Sequence, residues 1–429
     1  MLAPYRDVLS RPGALAFSAA GVVARLPISM VGIGIVLAVS GIYDSYALAG
    51  QVSAVLVVTS ALTAPLIARL VDRHGQARVM LPALAICATG LTALVIALMT
   101  RAPEPVLFLT AVVGGVSGQF GSLVRARWSA VLKGEPAALH TAYSLESALD
   151  EVVFIVGPAA ATVLATSVAP SAGIVVPLVA TVLGGLWFLS QRRTEPAPSP
   201  RQATGGGSLL RAPGMLVLIV VFLAMGTIFG ATDVSTVAFA EESGQKSAAG
   251  FILAVFAAGS LVSGLLYGAR HWVRPLWVRF GIGMVALAVG VSLFVLVHSL
   301  AALAAVMFVT GFAIAPTLIN GNGLVQELVP AARLTEGLTW VGTSLGVGVS
   351  IGSSIAGVRI DAEGSHGGFL VVVLAGAAAL VATLASLRTL RARHLVHLAA
   401  EGDVPAPAQD QVHPDDVSDE PAEDEPRTP

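Results

Sequence analysis

Ser144-Leu-Glu-Ser-Ala-Leu-Asp-Glu-Val-Val-Phe-Ile-Val-Gly-Pro158 sets three carboxylates, Glu146, Asp150 and Glu151, at the head of a tract that carries no further charge until Arg192. An ionised side chain inside hydrocarbon costs about 2.5–3.5 kcal/mol on insertion scales, so such residues need a partner or a role. One cation is stranded in the same way: Arg25, inside the first apolar run. Of the 429 residues, 55% are hydrophobic and only 12% charged, with a mean hydropathy of +0.83. A soluble domain carries about 25% charged residues. The chain therefore reads as a polytopic, all-α membrane protein.

A crossing helix needs about 20 mostly apolar residues. Runs of that kind fall at 14–39, 47–69, 79–100, 106–126, 143–167, 171–190, 213–237, 247–269, 279–297, 300–320, 336–358 and 367–387, which predicts twelve transmembrane helices. Placing the N-terminus inside puts nearly all Lys and Arg in inner segments, with only Arg101, Lys246 and Arg359 outside. That asymmetry follows the positive-inside rule. It predicts a multi-pass protein of the inner (plasma) membrane with both termini cytoplasmic. The N-terminus has no cleavable-signal pattern, so the first run is expected to be a retained span. The lone cysteine, Cys87, excludes an internal disulfide.

The halves echo one another. Pro136-Ala-Ala-Leu-His-Thr141 enters span 5, and Pro330-Ala-Ala-Arg-Leu-Thr335 enters span 11, six spans later. Two parallel six-span repeats predict two pseudo-symmetric six-helix bundles with a site near the midplane between them. The expected organisation is an N-terminal bundle over 1–190, a Pro/Gly/Ser-rich cytoplasmic linker over 191–212, a C-terminal bundle over 213–394 and an acidic tail over 395–429. From Glu401 that tail has ten acidic residues and one basic residue, Arg427, and is expected to be disordered.

Between spans 2 and 3 the chain reads Ala68-Arg-Leu-Val-Asp72-Arg73-His-Gly75-Gln-Ala-Arg78. With twelve spans and a central inner linker, this resembles the signature loop of the major facilitator superfamily, Gly-x-x-x-Asp-Arg/Lys-x-Gly-Arg-Arg. Ala68 replaces the first Gly, Gln76-Ala77 replace the closing basic pair, and Arg78 arrives one place late. Gly264, Gly268 and Arg274 resemble a degenerate second copy without the Asp. The resemblance implies alternating access and a gate in which the loop meets the inner start of span 11. The gate set would be Asp72, Arg73, Gly75 and Arg78 on the loop, Arg125 and Arg127 at the end of span 4, and Glu336 opening span 11. The plainer reading of the basic residues is membrane anchoring. Gly157-Pro158 resembles part of the antiporter motif of drug-efflux branches. Here Val153 stands where that motif has Gly, and the mid-span-4 arginine is missing.

At about 1.5 Å rise per residue, Arg25 lies about 16 Å inside span 1, and Asp150 and Glu151 about 14–15 Å inside span 5. The expected central ion pair joins Arg25 to Asp150 or Glu151. Glu146 shares the Asp150 face, and Glu151 is rotated about 100° from it. Arg125 and Arg127 are expected near Glu146 and Asp72. The acid outside the pair is the candidate proton carrier; the competing reading is that the pair only fixes packing. Gln119, Asp233, Asn320 and Trp340 are candidate cavity residues. Pro27 and Pro316 read as kinks, and Gly114, Gly115, Gly118 and Gly121 as a smooth packing face.

No paired-His zinc pattern or phosphate loop is present, and no enzyme, metal or cofactor is expected. The expected partners are the lipid bilayer, a small organic solute and protons, with no nucleic acid and a monomeric state. Proton-coupled efflux leads the expectations. Uptake or facilitated diffusion of a metabolite is the rival within transporters, and a non-transporting membrane receptor or scaffold the rival outside them.

Overall fold

The computed structural model describes residues 3–198, 209, 214–245, 248–270 and 272–402, which are helical almost throughout and contain no strand. A short helix, α1 (Ala3–Ser10), precedes the spans. The N-terminal half continues through α2 (Ala14–Arg25), α3 (Pro27–Tyr43), α4 (Tyr46–His74), α5 (Gln76–Met99), α6 (Glu104–Gly114), α7 (Phe120–Val131), α8 (Pro136–Ser167) and α9 (Ala172–Ser190). The C-terminal half comprises α10 (Met215–Glu242), α11 (Ala248–Gly268), α12 (Leu276–Ser292), α13 (Leu300–Gly311), α14 (Ile314–Leu328), α15 (Leu334–Glu363) and α16 (Ser365–Gly402). Among the described residues, eleven stretches are long and apolar enough to cross a membrane. The short apolar helix α6, continued by α7, supplies the twelfth path.

Three spans are broken near their middles, and local chemistry explains the first two breaks. Pro27 has no N–H to give the preceding turn, so α2 ends at Arg25 and α3 restarts with proline in its first turn. In span 4 the run Gly115-Val-Ser-Gly-Gln119 leaves the helix altogether, where a continuous, smooth-faced helix was expected. A Cβ on Gly115 would sit 2.7 Å from the Leu56 carbonyl, so the chain presses backbone against α4 there. The carbonyls freed by the break are taken by side chains: Cys87 Sγ donates to Gly114 O and Thr63 Oγ1 to Gly115 O. Irregular backbone survives at membrane depth only when satisfied in this way. Span 10 breaks at Phe312-Ala313, between α13 and α14.

Each half has its own apolar core. Phe222, Met284, Phe294 and Phe369 belong to the C-terminal one; Phe17, Trp128 and Phe188 belong to the N-terminal one, which reaches across to Ala315 and Ile319 of α14. Within the C-terminal half, α10 and α15 touch backbone to backbone. Gly226 and Gly230 face the carbonyls of Leu345 and Val349, while Gly348 and Gly352 face those of Leu223 and Thr227. Small residues spaced by four permit this approach where lipid offers no hydrophobic drive between helices.

The chain departs from expectation at both presumed flexible segments. Helix α16 runs on to Gly402, past the expected start of the tail at 395. The linker begins with a 3-10 turn, Arg192–Thr194, held against the N-terminal half. The rest of the expected linker, apart from Leu209, and the tail from 403 lie outside the described residues.

The α10–α15 contact yields a direct test. Gly226→Val would put a side chain about 2 Å from the Leu345 carbonyl, and overpacking of this kind destabilises by about 1–3 kcal/mol. Gly357→Val, on α15 where a Cβ meets open space, should leave the thermal unfolding midpoint in detergent unchanged while Gly226→Val lowers it. Equal midpoints would contradict the close approach.

Candidate functional site

Arg25 closes α2, so its cation sits at the negative end of that half-helix, deep in the N-terminal bundle. Its guanidinium forms close ion pairs with Glu146 Oε2 at 2.6 Å and Asp150 Oδ1 at 2.9 Å. Arg125 completes the group by donating to Asp150 Oδ2 at 2.7 Å. Glu146, 0% exposed, also accepts from Ser18 Oγ at 2.6 Å and Trp128 Nε1 at 2.8 Å. Two acids and two guanidinium groups therefore balance in charge, with Glu146 Oε1 accepting both hydrogen bonds and Oε2 facing Arg25 as an ion-pair contact.

The composition of this cluster corrects the sequence expectation. Asp150 does pair with Arg25, but the second acid is Glu146 and not Glu151. Helix α8 starts at Pro136, about a turn earlier than assumed. Glu146 is therefore about 15 Å along its helix, level with Arg25. Arg125 joins this cluster through Asp150. Arg127 does not approach Glu146 or Asp72. It is fully buried with its guanidinium 3.8 Å from the Phe188 ring centroid, and it donates to Gln76 Oε1, Gln191 O and Thr194 Oγ1. It thereby ties the gate loop and the first linker residues to the N-terminal half.

Glu151, on the neighbouring face of α8, turns toward the other half and accepts from Ser260 Oγ of α11 at 2.6 Å. Gln119, at the break before α7, donates across the same divide to Thr343 Oγ1 of α15 at 3.0 Å. Asp233 is exposed on α10 and has no hydrogen-bond or ion-pair partner among the described residues. Its turn of helix lies between Gly230, which abuts α15, and Thr236, which reaches Met307 of α13. Trp340 is half-buried against the C-terminal core. Asn320 departs from the cavity expectation: it is buried and exchanges hydrogen bonds with the Tyr267 hydroxyl at 2.9 and 3.1 Å.

The two halves are clasped near the end that bears most of the arginines. Asp72 accepts from the backbone N–H groups of Thr335 at 3.3 Å and Glu336 at 2.9 Å, so its carboxylate caps α15. An anion at a helix N-terminus meets unsatisfied donors and the positive end of the dipole. The Glu336 side chain turns instead to Arg333, with two N–O contacts of 2.9 and 3.0 Å. Gly75 adopts φ +93°, a conformation that favours glycine, where α4 turns into α5. Arg73 is half-buried beside it, and Arg78 is exposed. Glu195 from the linker accepts from the Ala77 N–H at 3.0 Å, capping α5 in turn.

A second clasp, invisible in the sequence, has the opposite polarity. Thr141 Oγ1 donates to Gly268 O at 2.8 Å and Tyr5 OH to Leu265 O at 2.6 Å, so donors from the N-terminal half cover the last carbonyls of α11. Burial pushes the Tyr5 hydroxyl up to about 12, so it remains a protonated donor throughout the physiological range. Gln326 Nε2 adds a bond to Ser129 Oγ at 3.1 Å.

Twelve helical paths, two bundles and a polar centre between them define the architecture of a membrane transporter. The profile of the Major Facilitator Superfamily matches residues 17–281 and 234–412, and the chain belongs to that family. Members of the family are transporters, not enzymes. Among solved structures, the human organic anion transporter MFSD10 (TETRAN) is 16% identical with a TM-score of 0.63, over 90% of this chain and 99% of its own. A bacterial homologue of the iron transporter ferroportin, in an outward-facing state, is 13% identical with a TM-score of 0.67, over 89% and 98%. At such identities the likeness carries the fold alone. No curated protein matches the sequence.

The Asp72 clasp is testable by cross-linking. In a Cys87→Ser background, cysteines replacing Ser129 and Gln326 report how often the basic end is closed. Asp72→Ala removes a cap worth about 0.5–2 kcal/mol and should slow their disulfide formation several-fold. Asp72→Asn, which keeps an acceptor oxygen, should retain most of the rate. An unchanged rate in Asp72→Ala would remove the clasp from control of closure.

Proposed function

We propose that this protein is a secondary transporter that expels a small organic solute across the inner membrane in exchange for protons, with both termini cytoplasmic and the chain acting as a monomer. Its halves, about 1–190 and 213–394 joined by the linker at 191–212, rock about a central site. Asp72, Arg73, Gly75 and Arg78, with the α15 start at Glu336, act as the inner gate. The observation that carries the coupling is the bond from Ser260 to Glu151 across the two halves. Arg25, Glu146, Asp150 and Arg125 are mutually neutralised within one half and serve as a rigid frame. Glu151 alone among the span 5 acids has its partner on the moving body. When α11 withdraws, the carboxylate loses its donor in apolar surroundings, where the charged form is disfavoured. Taking up a proton then neutralises it, so the proton's arrival tracks the rocking. Asp233, Gln119 and Trp340 line the path on which the solute binds.

The measurement is solute exchange in proteoliposomes under an imposed pH gradient, with solutes chosen from a thermal-shift screen of metabolites and drugs. Ligands that bind only the folded form raise its melting point. Glu151→Gln should reduce pH-driven transport at least tenfold while leaving solute equilibrium exchange intact. Unchanged pH-driven transport would remove Glu151 from coupling and favour facilitated diffusion. No exchange of any solute by folded protein would favour a receptor or scaffold.

A further inference from the structure

Helix α11 ends in an exposed stripe that neither the clasps nor the central site uses. Val262 is 41% exposed and Leu266 39%, and Arg270 follows, exposed, at the same spacing of four. Val262 and Leu266 lie one above the other on the helix, and Arg270 follows two residues past its end at Gly268. A basic residue closing a helix ordinarily settles against the free carbonyls of the last turn. Here those carbonyls are already taken: Leu265 O by Tyr5, Tyr267 O by the Trp272 indole N–H, and Gly268 O by Thr141. The Arg270 backbone N–H reaches Tyr267 O at 3.4 Å, but its guanidinium has no hydrogen-bond or ion-pair partner among the described residues.

Helix α1 turns this stripe into a groove. Pro4 forms the opposite wall, and with Leu266, Ala269 and Arg270 it lines an open groove of about 280 Å³. That is room for on the order of nine water-sized groups at ~30 Å³ each, enough for a phosphate and the glycerol beneath it. The groove lies where α11 leaves the apolar belt, beside Trp272 and the fully exposed Val273. Tryptophan favours that depth, with its ring at the headgroup level.

We propose that this groove binds the headgroup of an anionic phospholipid. The phosphate pairs with the Arg270 guanidinium, which suits a phosphate oxygen pair. The acyl chain lies along Leu266 and Val262. An apolar wall topped by an unpaired cation matches an anionic lipid in both charge and depth; a soluble acidic partner would leave the lower wall against hydrocarbon. Because α1 belongs to one half and α11 to the other, a lipid seated between them braces the closed basic end.

Native mass spectrometry of the full-length protein, titrated in detergent with phosphatidylglycerol or phosphatidylcholine, tests this. The wild type should retain one phosphatidylglycerol in preference to phosphatidylcholine. Arg270→Gln should weaken that retention about fivefold, the scale of one basic residue near an anionic surface, and leave phosphatidylcholine unaffected. Ala269→Leu, which fills the groove and spares the charge, should weaken phosphatidylglycerol as well. Arg274→Gln removes a neighbouring exposed charge outside the groove and should change nothing. Retention unaltered in Arg270→Gln or in Ala269→Leu overturns the proposal. So does an equal loss in Arg274→Gln, which would mean a diffuse basic surface, or displacement of the lipid by glycerol 3-phosphate, which would mean a pocket for soluble phosphates.

Discussion

A guanidinium cannot stay alone in hydrocarbon, and the N-terminal half is arranged around that constraint. Arg25 is only 5% exposed, at the broken end of α2, and it draws Glu146 and Asp150 of α8 onto itself. These acids are four residues apart and share one face, so gripping both fixes the rotation of α8 about its axis as well as its position. The next residue, Glu151, is thereby swung about 100° away, toward α11 and the other half. One ionic requirement inside a bundle thus decides which carboxylate is presented between the bundles.

The clasps that join the halves use the two ends of helices in complementary ways. At α15 the exposed groups are N–H donors, and Asp72 supplies the acceptor. At α11 they are carbonyl acceptors, and Thr141 and Tyr5 supply the donors. Each contact satisfies backbone groups that would otherwise be stranded where the helix stops. Neither clasp needs an ion pair across the divide, so separating the halves exposes dipoles and one carboxylate to water at the membrane face, which is far less costly than parting buried charges.

Much of this was legible in the sequence because bilayer physics leaves few options. Apolar runs of the right length gave twelve crossings, and the arginine asymmetry and the paired Pro-Ala-Ala entries gave the repeat. Arg25 and the span 5 acids stood out because nothing else charged lies so deep. Asp150 was read as a partner of Arg25 and is one; the closer contact with Glu146 was missed because span 5 was placed at 143–167, whereas α8 begins at Pro136 and carries Glu146 deeper. The break at Gly115–Gln119 was unreadable because a glycine run suits both a smooth helix face and an unwound turn, and only the proximity of Leu56 decides. Arg127 was placed in the gate set, with anchoring as the plainer reading; its burial against Phe188 depends on Gln76 and Thr194, residues far apart in the chain.

Arg25 and Glu146 are energetically joined inside the N-terminal half if they form its frame, and a double-mutant cycle on unfolding in detergent reads that link directly. Arg25→Gln, Glu146→Gln and the double variant isolate the charge, because glutamine keeps an oxygen for Ser18 and Trp128. Each single change leaves a buried charge without its counterpart and should be strongly destabilising, on the order of 3–5 kcal/mol. The double variant should be no worse than either single one, giving a coupling energy well above ~0.5 kcal/mol. Losses that simply add would mean that the two groups do not depend on one another, and the frame proposed for the transport cycle would not exist.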